Sequence, residues 1–156
     1  MKKGQKEPVE IGWREWIALP DLDVPGIKVK VDTGARSSAL HTASYHCVDL
    51  GEGNWKVYFD LHPLTTDPDC LNQCEEPVSY FREVKDSGGH IERRPFINTT
   101  VKLGPHEWSI DLSLTNREGM KFRMLLGRTA IREGFLVNPA KSYRLSRELK
   151  NHFQVK

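Results

Sequence analysis

Asp32 is the residue best placed by its sequence neighbours to do chemistry. It closes the stretch Ile27-Lys28-Val29-Lys30-Val31-Asp32, where apolar and basic residues alternate with the period of two that marks a half-buried β-strand. Thr33-Gly34-Ala35 follow at once, and Ala39-Leu40 resumes the apolar pattern. The carboxylate is therefore expected at the tip of a strand, in a tight turn. Thr33 offers a hydroxyl to brace that turn, and Gly34, lacking a Cβ, lets a second backbone approach closely. Two carboxylates held close together cannot both ionise, so one keeps a proton to donate while the other takes one from water. No second Asp-Thr-Gly occurs in the chain, so a pair built on this turn needs a second copy of the protein.

Met124-Leu125-Leu126-Gly127-Arg128, well downstream, reads apolar-apolar-Gly-Arg, and Thr129 to Glu133 can form a short helix before Gly134 stops it. Asp-Thr-Gly-Ala followed by this later motif resembles the retropepsin-like aspartic proteases. The resemblance implies a closed all-β barrel with one short C-terminal helix, working as a homodimer. It places Asp32, Thr33 and Gly34 in the catalytic turn, with Ala35, Arg36 and Arg128 beside the substrate. In that family the apolar pair packs behind the catalytic turn, and a glycine-rich hairpin closes over the substrate. Gly88 and Gly89, in Asp86-Ser87-Gly88-Gly89, are the candidates for such a tip. The runs Gly12 to Pro20 and Lys28 to His41 are also similar to a bacterial family described as "ATP-dependent zinc protease". That likeness covers roughly residues 11 to 140 and implies protease-like chemistry, often beside ATP-grasp ligases that add glutamates to proteins.

The elements that must position these residues read as short strands. Residues 1–10 are a polar, flexible tail, 11–145 the barrel domain and 146–156 a charged C-terminal tail with a frayed helix. Strands are expected over 11–19, 27–32, 55–61, 78–85, 90–103, 108–114, 120–126 and 135–137, with a further short one at Tyr143-Arg144-Leu145. Residues 62–77, rich in Pro and Asp, read as a long irregular insertion. The Ser87-Gly88-Gly89 turn between two β-runs signals a hairpin.

Composition excludes several classes. With 156 residues the chain is one domain, too short for two pepsin-like lobes. Lys and Arg number 23 against 21 Asp and Glu, a net charge of +2, and the pI of 8.4 lies below the ~9 typical of dedicated nucleic-acid domains. No apolar run approaches the ~18 residues of a membrane span. The positive N-terminus lacks the apolar region of a signal peptide, so the cytoplasm is expected. The odd set Cys47, Cys70 and Cys74 reads as reduced thiols, with a facultative Cys70–Cys74 disulfide open to it. His41, His46, Cys47, Cys70, Cys74 and His90 share no recognised zinc spacing, and there is no His-Glu-x-x-His, so no metal and no cofactor are expected. Ser37, Ser38 and His41 lie near one another without a Gly-x-Ser-x-Gly elbow, and no phosphate-binding Gly-x-x-x-x-Gly-Lys loop is present.

The resulting expectation is an aspartic-type peptidase that hydrolyses peptide or isopeptide bonds through a water held between two Asp32 side chains. One alternative is a non-catalytic peptide-binding or dimerisation module working with an ATP-grasp ligase; a weaker one is a zinc protease. Retropepsins commonly carry an acidic or polar residue after Asp-Thr-Gly-Ala, and this chain has Arg36. Arg36 and Arg128 are expected near each other as a clamp for substrate carboxylates, directing the enzyme to glutamate-rich peptides.

Overall fold

Alternation of apolar and polar residues drives nearly every element, and the result is mostly β. The computed structural model describes residues 7–61, 72–86, 88–116, 122–131 and 134–153. In chain order the strands are β1 (Val9–Gly12), β2 (Arg14–Leu19), β3 (Val24–Asp32), β4 (Ser38–His41), β5 (Ser44–Gly51) and β6 (Asn54–Leu61). They continue with β7 (Asn72–Pro77), β8 (Tyr80–Lys85), β9 (Ile91–Leu103), β10 (His106–Thr115), β11 (Met124–Gly127) and β12 (Phe135–Asn138). A short helix α1 (Arg128–Ile131) follows β11, and α2 (Arg147–Phe153) lies near the C-terminus.

The main sheet runs β10-β4-β11-β3-β2-β9-β8, and β9 also pairs with β10. The pairings therefore lead from β10 round to β9 and back. The β2–β9 seam is joined by the single register pair Ala18–Lys102. Val29, Val31, Leu40, Ile97, Leu112, Leu114, Met124 and Leu126 are buried and belong to one core. The smaller sheet β5-β6-β7 buries Val57, Phe59 and Leu61 against that core, and β1 pairs in parallel with β12.

Three local expectations change. Residues 72–77 form a strand where a loop was expected: β7 is polar because it lies at a sheet edge and needs only β6 as a partner. The rest of the insertion, 62–71, with Cys70, lies outside the described residues, as do Ser87, the turn residues 117–121, and Arg132 and Glu133. β5 is not legible as a strand in the sequence because it is an edge strand: only Tyr45 and Cys47, both half-buried, pack against the core, and Val48 and Leu50 are exposed. Tyr143 to Leu145 form no strand. The backbone N–H groups of Arg144 and Leu145 go instead to the Glu15 carboxylate, at 2.7 and 3.2 Å. α2 then docks on β2, with the Phe153 ring stacked on Trp16 at 5.6 Å and filling the space left by Gly26. No helix among the described residues is long and apolar enough to cross a membrane.

Candidate active-site turn

β3 and β11 run side by side in parallel, and their register sets Gly127 opposite Asp32. Asp32 is half-buried at the end of β3. Its Oδ1 accepts the Gly34 N–H at 3.1 Å and its carbonyl accepts the Ala35 N–H at 3.2 Å, so the chain turns tightly around its own carboxylate. Thr33 and Gly34 are exposed. A Cβ on Gly34 would meet only Asp32 Oδ1, at 3.4 Å, so nothing in its own chain demands glycine there.

Behind the turn the constraint is severe. A Cβ on Gly127 would lie 2.5 Å from the Ser37 carbonyl carbon and 2.6 Å from its oxygen, contacts between backbones that cannot yield. The buried Ser38 ties these layers together: its Oγ accepts the Gly127 N–H at 3.0 Å, and its carbonyl accepts the Ser113 hydroxyl at 3.0 Å. Arg94, itself buried, donates through Nη1 to Ser113 Oγ at 3.4 Å and through Nε to Glu92 at 2.6 Å. Ser113 and Arg94 were not singled out from the sequence, and Ser38 was weighed there only beside Ser37 and His41 as a nucleophile. Their only signal is a polar residue within an apolar strand, which does not say which partner it meets.

α1 clasps the other side of the turn. The N–H groups of Arg128 and Thr129 donate to the carbonyls of Ala35 and Arg36 at 2.9 and 3.1 Å, and Thr129 Oγ1 donates to the Arg36 carbonyl at 2.8 Å. The Arg128 guanidinium donates to the Gly34 carbonyl at 3.3 Å. Arg36 is exposed and lines a cleft of about 1020 Å³ whose wall does not include Arg128.

Gly88 and Gly89 sit at the tip of the β8–β9 hairpin and do not line that cleft. Asp86-Ser87-Gly88 repeats the Asp-Ser-Gly pattern of an aspartic turn, but the Asp86 carboxylate caps its own hairpin. Its Oδ1 accepts the N–H groups of Gly88 and His90, each at 2.9 Å, and its Oδ2 is 3.5 Å from the His90 imidazole. Both carboxylate oxygens of Asp86 thus serve the hairpin turn.

The candidate metal ligands are dispersed. His46 is exposed and stacks on Tyr58, His90 belongs to the hairpin, and Cys74 reaches the Leu22 carbonyl at 3.8 Å. Among the described residues no group of three or more His, Cys, Asp or Glu side chains gathers as a metal site. Burial, reinforced by Glu76, Asp23 and Asp60, pushes the Cys74 thiol up to about 11.

Comparison with known proteins supports the lineage that the two motifs suggest. Two relatives are described as probable alpha-L-glutamate ligases. The one from Shewanella halifaxensis is 42% identical over 138 residues, covering 88% of this chain and 30% of that protein. The one from Desulfotalea psychrophila is 40% identical over 130 residues, covering 83% and 28%. This chain thus spans under a third of the length of either relative. A crystal structure of a Legionella pneumophila protein of unknown function superposes with a TM-score of 0.69 at 27% identity, covering 89% of this chain and 99% of that one. A family model described as the retropepsin-like aspartic endopeptidase RimB matches residues 10–148. With that match spanning nearly all of the β structure around Asp32, the chain belongs to the RimB-like family of retropepsin-like aspartic endopeptidases.

Proposed function

We propose that the protein is an aspartic-type peptidase, a closed barrel of retropepsin type that acts as a homodimer. The observation that carries this reading is the Asp32 turn. It is rigidly backed by Gly127 and Ser38, yet its outer side, Thr33 and Gly34, is exposed and lacks any steric reason of its own for glycine. A second copy placed there by two-fold symmetry supplies the second carboxylate. The two Asp32 side chains share one proton and titrate as a pair. The ionised carboxylate takes a proton from a water whose oxygen adds to the scissile carbonyl carbon, and the protonated one donates to the carbonyl oxygen. Collapse of the tetrahedral adduct breaks the C–N bond, and the amine leaves with a proton. No covalent intermediate forms. Substrates are peptide or isopeptide bonds in glutamate-rich segments, a choice supported by the ligase names of the relatives and by Arg36 beside the turn. The site of action is the cytoplasm.

The test combines sedimentation with an assay on glutamate-rich peptides. The expected results are a dimer, hydrolysis insensitive to chelators, and a loss of about 10²–10⁴-fold in Asp32→Asn with the fold retained. Full turnover by Asp32→Asn, or a monomer at every concentration, rejects the mechanism. The length of the relatives favours a second reading, a peptide-docking module that serves a ligase. Under that reading Asp32→Asn leaves peptide binding intact and there is no hydrolysis to lose.

A further inference from the structure

The cleft beside the Asp32 turn has two chemically distinct ends. At one end His106 and Trp108 contact Phe135 at 5.4 and 4.9 Å, with Glu7 and Glu107 also on the cleft wall. At the other, Tyr80 and Phe96 stack at 4.8 Å, and the Arg82 guanidinium lies 5.2 Å and 5.7 Å from their ring centres. Arg36 lines the same cleft.

The charges at this second end do not balance. Arg82 stands directly opposite Arg94 in the β8–β9 register, and like charges so placed repel. Arg94 is answered by Glu92. Among the described residues neither Arg82 nor Arg36 forms an ion pair. The Asp111 carboxylate on the same wall accepts from the Tyr80 hydroxyl at 3.0 Å and from Asn98 Nδ2 at 3.2 Å, and its single charge offsets only one of the two arginines. Arg82, Arg36 and Tyr80 line one and the same cleft, and both guanidiniums bear electrostatically on the Tyr80 hydroxyl. The Arg82 guanidinium lies over the Tyr80 and Phe96 rings on the exposed side of the sheet, where its N–H fork can meet a carboxylate in bidentate fashion.

We propose that Arg82, together with Arg36, forms a carboxylate-binding subsite over the Tyr80–Phe96 floor of this cleft, which takes an acidic side chain of the bound peptide. This rests on the peptide-handling reading above and adds a specificity residue to it. Arg82 belongs to the hairpin that carries Gly88 and Gly89, whereas Arg36 belongs to the Asp32 turn. A carboxylate between them ties the hairpin to the turn, so an acidic residue both selects the peptide and draws the hairpin to the site.

The experiment uses the Asp32→Asn protein, so that peptide stays intact, titrated with tetraglutamate and with tetraglutamine by calorimetry. Tetraglutamate is expected to bind the more tightly. Adding Arg82→Ala weakens tetraglutamate binding by about tenfold or more and leaves tetraglutamine binding unchanged. Arg82→Gln, which keeps more of the stacking surface, gives the same loss. Hydrogen exchange in β8 and β9 slows on adding tetraglutamate to the parent and not to the Arg82 variants. Equal tetraglutamate affinity with and without Arg82, or no preference of the parent for tetraglutamate, overturns the subsite. Because all these residues lie in one chain, the measurement stands even if the protein proves monomeric or hydrolyses nothing.

Discussion

Gly127 and Asp32 face each other across the parallel β3–β11 pair, and the missing Cβ of Gly127 is what admits the backbone of Ser37 behind the turn. Gly127→Ala is expected to destabilise the fold by about 1–3 kcal/mol, the range of overpacking, because the clash is with backbone at 2.5 Å. Gly34→Ala meets only Asp32 Oδ1 at 3.4 Å and should leave monomer stability near that of the parent. If the turn is a dimer contact, Gly34→Ala weakens association instead. Urea unfolding separates the first effect and sedimentation the second.

Arg36 and Arg128 are expected to part company in function. Arg36→Ala should reduce hydrolysis of an acidic peptide more than that of a neutral peptide of equal length, because Arg36 lines the cleft. Arg128→Ala should lower both alike, because its guanidinium holds the Gly34 carbonyl at 3.3 Å and so braces the turn itself. A selective loss from Arg128→Ala as well would make both arginines the clamp.

Glu15 is fully buried, and its carboxylate accepts four hydrogen bonds: from the N–H groups of Gly12, Arg144 and Leu145 and from the Ser146 hydroxyl. Glu15→Gln turns one acceptor atom into a donor aimed at other donors. The expected cost is about 3 kcal/mol, since hydrogen bonds to a charged group are the strong ones. Loosening of the Trp16–Phe153 stack should accompany it and be visible as a change in tryptophan fluorescence.

Cys74 should be slow to alkylate. Burial and the acidic groups Glu76, Asp23 and Asp60 push its thiol up to about 11, against about 8.5 for an ordinary cysteine. At pH 8 its reaction with iodoacetamide, followed by mass spectrometry, is expected to run about two orders of magnitude below that of a free thiol, rising about tenfold per pH unit up to pH ~10.5. The raised value means that the folded chain holds this proton longer than the unfolded chain does. The associated stability is therefore full below pH ~8.5 and is lost as pH rises through about 11.

The Asp32 turn was readable in one dimension because its hydrogen bonding is local. Ile27 to Val31 alternate, Asp32-Thr33-Gly34 follow without a gap, and the hydrogen bond from Gly34 to Asp32 spans two residues. The later Gly127-Arg128 motif was likewise legible as a string, and so was the long strand β10, where Trp108, Ile110, Leu112 and Leu114 alternate with polar residues. The edge strands β5 and β7 were not, since an edge needs a single partner and tolerates polar residues. Nor was the place of Arg128 against Gly34, of Arg82 over Tyr80 and Phe96, or of Arg94 on Ser113. Each joins residues far apart in the chain, whose meeting is set by strand register. The sequence by itself determined a β-rich chain with an acid at a strand end. Only the tertiary structure decided which arginine braces that acid and which is left with a charge to share, because proximity between strands is a product of folding and is not written in spacing.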